Sequence, residues 1–332
     1  MRYVVIGAGA VGGAVGTALL AAGCSVTLVA RGRHLQALRL EGMTVARPSG
    51  TTRHTVTAAG SPDEVGLTSD DVLLLAVKSQ DTPAAVAEWS RAEVPRVDGR
   101  VGVGALLPLV CLQNGLENER VAQRHFDRVL AACVWIPGQL VEPGVVVLPG
   151  ADHIGAVDVG LFPSGVDGVS EQLAADLSRG GIVGRATIDT MRLKYYKLLA
   201  NIRNVVTALF PTGTEATAIG LAAQQEARAA VMAAGVDLDD LETEAVRVAP
   251  LTRLGTVEGY GFAGNSTVQS LASGAGSVET DYLNGEVVLL GHLHGVPTPV
   301  NRALQRLAAR AARAGAAPGS FTPDHLDEEL RR

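Results

Sequence analysis

The chain has 332 residues, with 28 basic and 34 acidic side chains; the net charge of −6 offers nucleic acid no general attraction. Hydrophobic residues reach 47% but aromatics only 4%, so the core is built from Ala, Val and Leu, and the length admits two domains. Cys24, Cys111 and Cys133 are far apart, fit no metal spacing and leave no closed disulfide set, so buried thiols of a cytoplasmic protein are expected. No signal peptide is expected ahead of Tyr3, because a strand starts at once. Gly and Pro interrupt the longest apolar runs, so no membrane span is expected. The seven histidines show no ligand spacing, and no metal is expected.

Tyr3-Val4-Val5-Ile6 is a short apolar run suited to a buried strand. Gly7-Ala8-Gly9-Ala10-Val11-Gly12 follows, residues 14–22 read as helix, and Ser25-Val26-Thr27-Leu28-Val29-Ala30 reads as a second strand. A G-x-G-x-x-G turn between strand and helix is the dinucleotide-binding form of the motif. The first glycine allows the tight turn, the second a close pyrophosphate, and the third helix–strand packing. The helix start then offers N–H groups and a positive dipole end to phosphate. At the end of the second strand an NAD site usually carries a carboxylate. Here Ala30 and Arg31 stand there, with Arg33 close by, and a guanidinium suits a 2′-phosphate, so NADP(H) is the expected cofactor.

Residues 34–40 read as a short helix, and residues 43–46 and 52–57 as strands. Residues 72–77 form an apolar run suited to a central parallel strand. Lys78 follows its carboxyl end, where open α/β sheets bind ligands, and is a candidate cofactor contact. Residues 99–104 read as a turn and 106–112 as a strand, after which Asn114 is placed to orient a nicotinamide or a substrate. Further strands over 129–134, 139–141, 145–148, 153–159 and 182–188, with a helix over 169–179, complete the α/β half.

From Asp189 the pattern turns helical, which sets the expected domains at 1–188 and 189–332. Residues 191–209 are expected as one helix carrying Lys197, Asn201 and Asn204 at i, i+4 and i+7 on one face. Helices follow over 214–234 and 236–248, then a glycine-rich connector over 255–264. Ser266 lies near the start of the next helix, either as an anion contact or as an N-cap. Glu279 opens a helix running to 293, residues 300–314 form a final amphipathic helix, and the tail over 317–332 is expected to fray.

Several blocks, in this order, resemble the ketopantoate reductases. They are Gly7-Ala8-Gly9-Ala10-Val11-Gly12-Gly13, Val77-Lys78-Ser79 and Leu112-Gln113-Asn114-Gly115, followed by Lys197-Leu198-Leu199-Ala200-Asn201. Glu279-Thr280-Asp281-Tyr282-Leu283-Asn284-Gly285 and Gly295-Val296-Pro297-Thr298-Pro299-Val300-Asn301 complete the set. The resemblance runs from Tyr3 to about Leu307 and implies an N-terminal Rossmann-type domain followed by an all-helical C-terminal domain. It implies Lys197 as general acid toward a ketone oxygen, with Asn114, Asn201 and Ser266 holding the substrate. Glu279 would line the substrate and the ribose–nicotinamide end, and Arg31 and Lys78 would select NADPH. Such an acid suits hydride addition, which builds negative charge on oxygen.

Two departures lie at the expected substrate pocket. The family's second asparagine stands eight residues after the lysine and precedes Pro-Leu-Thr-Ala; here Asn204 stands seven after it, without the proline and beside Arg203. The segment between Gln269 and Glu279 is one residue longer, with glycines at 274 and 276. The expected activity is NADPH-dependent reduction of a 2-keto acid, ketopantoate to (R)-pantoate first, by a monomer or homodimer. A reductase of another ketone or imine, and an NADP(H) sensor without turnover, are the alternatives.

Overall fold

The first strand, β1 (Arg2–Ile6), is buried on both faces from Tyr3 onward, as a central parallel strand must be. In this computed structural model, which describes residues 1–95, 99–238, 241–274 and 276–331, two compact units emerge. The first holds Met1–Gln113, Asn118–Met191 and Glu242–Phe262; the second holds Asn114–Glu117, Arg192–Leu241 and Ala263–Arg332.

The first unit opens with β1, α1 (Ala10–Ala21), β2 (Ser25–Val29), α2 (Gly32–Glu41), β3 (Met43–Arg47), β4 (Gly50–His54) and β5 (Thr57–Ala59). It continues through α3 (Pro62–Val65), β6 (Asp71–Leu75), α4 (Thr82–Ser90), β7 (Glu93–Pro95), β8 (Val101–Val103) and β9 (Leu109–Cys111). After α5 (Glu117–Ala122) come β10 (Val129–Trp135), β11 (Gln139–Glu142), β12 (Val145–Val147), β13 (Gly155–Leu161), α6 (Gly168–Arg179) and β14 (Ile182–Ala186). The main sheet has eight strands in the order β14-β13-β10-β9-β6-β1-β2-β5. Its pairs are parallel except β10 with β13. Alternate side chains feed opposite faces: Tyr3, Val5, Leu28 and Leu74 join one core with α1 and α6, while Val4, Ile6, Leu73 and Leu75 join the other with α4. A smaller sheet, β11-β12-β3-β4, packs beside α1.

The second unit holds α7 (Thr190–Asn201) from Arg192 onward, α8 (Asn204–Leu209) and α9 (Thr214–Ala233), and its numbering resumes beyond α10 (Leu241–Val248), which lies almost wholly in the first unit. There follow α11 (Ser266–Ala272), α12 (Asn284–His294), α13 (Pro299–Ala314) and α14 (Pro323–Leu330). Helices α9, α12 and α13 pack mutually, with α8 on α9 and α13, α11 on α8, and α14 on α13. No helix among the described residues is long and apolar enough to cross a membrane.

Several expectations are corrected. The helix over 191–209 is broken: Ile202 and Arg203 form a turn between α7 and α8. Its backbone stays near helical values, with Arg203 at φ −78° and ψ −12°. The Ile202 carbonyl accepts instead from the buried Asn284 side chain (3.5 Å), a tertiary partner no local pattern reveals. The tail does not fray: Gly319 N donates to Ala208 O (2.9 Å) and Phe321 N to Leu209 O (3.0 Å). Helix α14 then buries Leu326 and ties Glu329 to Arg310 (3.2 Å). The expected turn over 99–104 includes β8, which pairs with β7. The strand expected over 106–112 shortens to β9, Pro108 having no N–H to donate. The helix expected over 236–248 starts at Leu241, residues 239–240 lying outside the described residues, as does residue 275 of the 274–276 stretch. Cys111 and Cys133 are buried thiols, but Cys24 is only half-buried.

Residues 242–262 join the first unit through charge. Asp158, 1% exposed, accepts from Arg185 Nε (2.6 Å) and from an Arg247 guanidinium nitrogen (2.7 Å). Arg247 also reaches Glu244 (2.8 Å). A buried carboxylate needs such pairing to remain ionised.

Candidate active site

In the first unit the glycine turn leaves β1 with Gly7 at φ +102°, a left-handed value that excludes a side chain. A Cβ on Gly7 would also stand 2.8 Å from Val77 N, at the end of neighbouring β6. One on Gly12 would stand 2.0 Å from Gly7 O. Both glycines are therefore required by the protein's own packing. Gly9 is not: it is the N-cap of α1, and an added Cβ there meets no atom within 4 Å. No side chain caps α1 and no acidic residue lies in its first turn, so the helix keeps its opening N–H groups and positive end available.

Beside this turn is a cavity of about 310 Å³ at the carboxyl ends of β1, β2 and β6. Gly7, Ala8, Ala30, Arg31, His34 and Val77 are among its lining residues. The open space over Gly9 and the uncapped helix fit the phosphates of a dinucleotide, with the basic Arg31 in the lining. Lys78 is half-buried after β6, between Val77 and Asp81, which both line the cavity. Ala10 and Val11 form the first turn of α1.

Two side-chain anchors hold this region. His34, in the first turn of α2, places Nε2 2.7 Å from Ala8 O, while its Nδ1 accepts from Gly144 N (2.9 Å). Beyond β6 and β9, Thr82 donates to Asn118 Oδ1 (2.8 Å) and accepts from Gln113 Nε2 (3.2 Å), and Asn118 reaches Ser79 Oγ (3.2 Å). Neither anchor is legible in the sequence. His34 sits in a plain helical segment with no local signal, and the polar cluster joins residues 31 to 39 positions apart.

The expected substrate residues all fall in the second unit. Lys197 and Asn201 stand one turn apart on α7, half-buried. Asn204 opens α8 beyond the break, so the expected single helical face stops at Asn201. Asn204 O accepts from Asn265 Nδ2 (3.4 Å), and Asn265 also donates to Thr207 Oγ1 (2.7 Å). Asn265 is the N-cap of α11, its Oδ1 accepting from Thr267 N and Val268 N (3.0 and 3.1 Å). Ser266 is therefore the exposed first residue of a seven-residue helix rather than its cap, and two of the helix's opening donors are already used. The asparagine before it was the readable cap signal. Asn265 brings Asn204 and Ser266 together.

Asn114 is half-buried, and the next residue, Gly115 at φ +79°, lies so close that a Cβ would stand 2.6 Å from Tyr282 O. Asn114 is thus placed beside the 3₁₀ turn Glu279–Tyr282, which Glu279 opens half-buried. The helix expected from 279 is this turn followed by α12. Arg203 runs its exposed side chain along α9 over Gly220, whose added Cβ would stand 3.1 Å from Arg203 Nε.

Among the described residues no group of three or more His, Cys, Asp or Glu side chains could hold a metal ion.

Comparison with known proteins matches residues 3–163 to the family model "Ketopantoate reductase PanE/ApbA" and residues 189–312 to its C-terminal model. A 2-dehydropantoate 2-reductase of Halobacterium salinarum is 30% identical over 319 residues, spanning 95% of this chain and 100% of the relative. One of Pyrococcus horikoshii is 25% identical, over 91% of this chain and 94% of the relative. Among solved structures, a PanE/ApbA family ketopantoate reductase from Ralstonia eutropha superposes with a TM-score of 0.75 at 27% identity, covering 95% and 99% of the two chains. A D-mandelate dehydrogenase solved with NADH and anilino(oxo)acetate shares the fold, with a TM-score of 0.76 at 18% identity and the same coverage.

Proposed function

Because this chain belongs to the ketopantoate reductase family, we propose that it reduces a 2-keto acid with NADPH, converting 2-dehydropantoate to (R)-pantoate for pantothenate biosynthesis. The observation that carries this reading is α7, which holds Lys197 and Asn201 one turn apart within the family's Lys-Leu-Leu-Ala-Asn block. In this reading residues 1–188 hold the nucleotide and contribute Asn114, and 189–332 supply the other substrate groups. Gly7, Ala8, Gly9, Ala10, Val11 and Gly12 would hold the pyrophosphate, and Arg31 the 2′-phosphate, with Lys78 nearby. When bound, the reduced nicotinamide supplies the hydride equivalent.

The remaining work falls to the chain's own groups. The Lys197 ammonium donates a proton to the ketone oxygen as negative charge develops there, which both neutralises and traps the product. Asn201 and Asn114 present amides to the substrate's carboxylate and hydroxyl groups, and Ser266 with Asn204 forms a second polar cluster tied by Asn265. Glu279 accepts from a substrate hydroxyl or from the ribose. Holding Lys197 and Asn201 on a helix, rather than on a loop, limits the reorganisation needed at the reacting atoms.

Turnover by Lys197→Ala is the direct test. Loss of a general acid costs roughly 10²- to 10⁴-fold in rate, so kcat on 2-dehydropantoate is expected to fall within that range while NADPH still binds. Near-normal turnover in that variant refutes the proton-donor role. The shortened spacing before Asn204 and the Arg203 beside it favour a second reading in which another 2-keto acid is preferred. Comparing kcat/KM for 2-dehydropantoate with a panel of 2-keto acids decides between them, and NADPH binding without oxidation by any of them supports a sensor.

A further inference from the structure

We propose that His34 is a positioning residue for the cofactor: it orients the Ala8–Gly9 peptide so that the Gly9 N–H faces the bound pyrophosphate. The proposal rests on reading residues 7–12 as the dinucleotide cradle.

The geometry fixes the imidazole's tautomer. A backbone N–H only donates, so His34 Nδ1, 2.9 Å from Gly144 N, must be the acceptor. The ring proton then sits on Nε2 and is donated to Ala8 O, 2.7 Å away. In a planar trans peptide the carbonyl oxygen and the following N–H point in opposite directions. Holding Ala8 O toward His34 therefore turns the Gly9 N–H away from α2. Among the described residues that N–H has no hydrogen-bond partner, whereas Gly7 N and Ala8 N both donate to Val29 O (3.1 and 2.9 Å). The space on Gly9 is open, since an added Cβ there meets nothing within 4 Å. Ala8 and His34 both line the cavity beside the turn.

The imidazole thus ties two turns together by hydrogen bonds. On one side is the glycine turn; on the other is the tight turn between β11 and β12, where Gly144 has φ +83°. A glycine-rich turn is soft on its own. Tying it to a sheet through a rigid ring keeps the Gly9 donor aimed before any phosphate arrives, which is how a binding site avoids an ordering cost.

The test measures Kd for NADPH and for NADH on the native protein, His34→Ala, His34→Gln, His34→Asn and Arg31→Ala. NADPH and NADH share the pyrophosphate, so His34→Ala is expected to weaken both by the same factor. That factor is roughly tenfold, as for one misaligned hydrogen bond to a charged group. In turnover assays the loss should appear in KM for the nucleotide rather than in kcat. Arg31→Ala, by contrast, should weaken NADPH alone. In His34→Gln the side-chain amide can still donate to Ala8 O, so binding should recover. His34→Asn offers only the shorter contact to Gly144 N, so it should bind like His34→Ala. This Gln–Asn pair keeps the test decisive even where His34→Ala folds poorly. Native affinity in His34→Ala, or recovery by Asn as good as by Gln, overturns the proposal. Should the native protein bind neither nucleotide, the cradle reading falls and the proposal with it. Binding by the native protein that no His34 variant alters removes the proposal alone.

Discussion

Replacing Gly9 with alanine separates cofactor binding from folding in a single methyl group. Gly9 has φ −70° and ψ −158°, extended values open to alanine, and the added Cβ meets no protein atom within 4 Å. A glycine-to-alanine change at a compatible position typically stabilises by about 0.4–1 kcal/mol, because the unfolded chain loses freedom. The melting temperature of Gly9→Ala is therefore expected to hold or rise. The same methyl fills the space over the start of α1 and would push a pyrophosphate away from the opening N–H groups. A lost hydrogen bond to a charged group costs about 1.5–3 kcal/mol. At about 1.4 kcal/mol per decade, Kd for NADPH should rise roughly 10- to 150-fold. Gly12→Ala is the contrasting control: its Cβ would stand 2.0 Å from Gly7 O, and overpacking of this kind costs about 1–3 kcal/mol of stability. Thermal melts with and without NADPH, together with fluorescence titration, read both quantities. A Gly9→Ala protein that binds NADPH with native affinity refutes the cradle.

Two further expectations concern stability. Glu226 on α9 accepts from Val300 N, Asn301 N and Asn301 Nδ2 (2.9, 2.9 and 2.8 Å), and so caps α13 from another helix. Asn301 Oδ1 in turn accepts from Asn284 Nδ2 (2.9 Å), which reaches the Ile202 carbonyl at the α7–α8 break. Asn301→Ala leaves buried groups unpaired and should cost about 2–4 kcal/mol in urea unfolding, at 1–3 kcal/mol for each orphaned group; a change below half a kcal/mol would show that the relay contributes nothing. Asp167 caps α6 and pairs with Arg128, with Ser170 completing a capping box. Burial alone would raise its carboxyl pKa, but the Ser170 N–H and Arg128 outweigh it and hold it below the ordinary value. A depressed carboxylate contributes stability that is fully present above its unfolded value and lost as pH falls through the folded one. Asp167→Ala should therefore destabilise by about 1 kcal/mol at neutral pH, with the gap to the native protein closing below about pH 4 in pH-dependent unfolding.

Much of the nucleotide half was readable because its determinants are local. Tyr3 to Gly12 combines a doubly buried strand with glycines whose roles follow from backbone geometry alone, and Arg31 stands two residues past the end of β2. Lys197 and Asn201 were equally readable, since a spacing of four puts both on one helical face. Asn204 was not. Helical periodicity ran through 202–203 without a mark, and only Asn284, 82 residues later, takes the carbonyl there.

The sequence by itself determined the strand–turn–helix that begins the chain, the change to helices after residue 189, and the residue types expected at the site. These follow from periodicity, from glycine's freedom and from side-chain chemistry, none of which needs a distant partner. Tertiary structure alone decided the break after Asn201, the docking of α14, the return of 242–262 to the first unit through Asp158, and the two contacts of His34. Each is made by a hydrogen bond or ion pair between residues far apart in the chain, and a buried polar group takes whichever partner the fold brings to it.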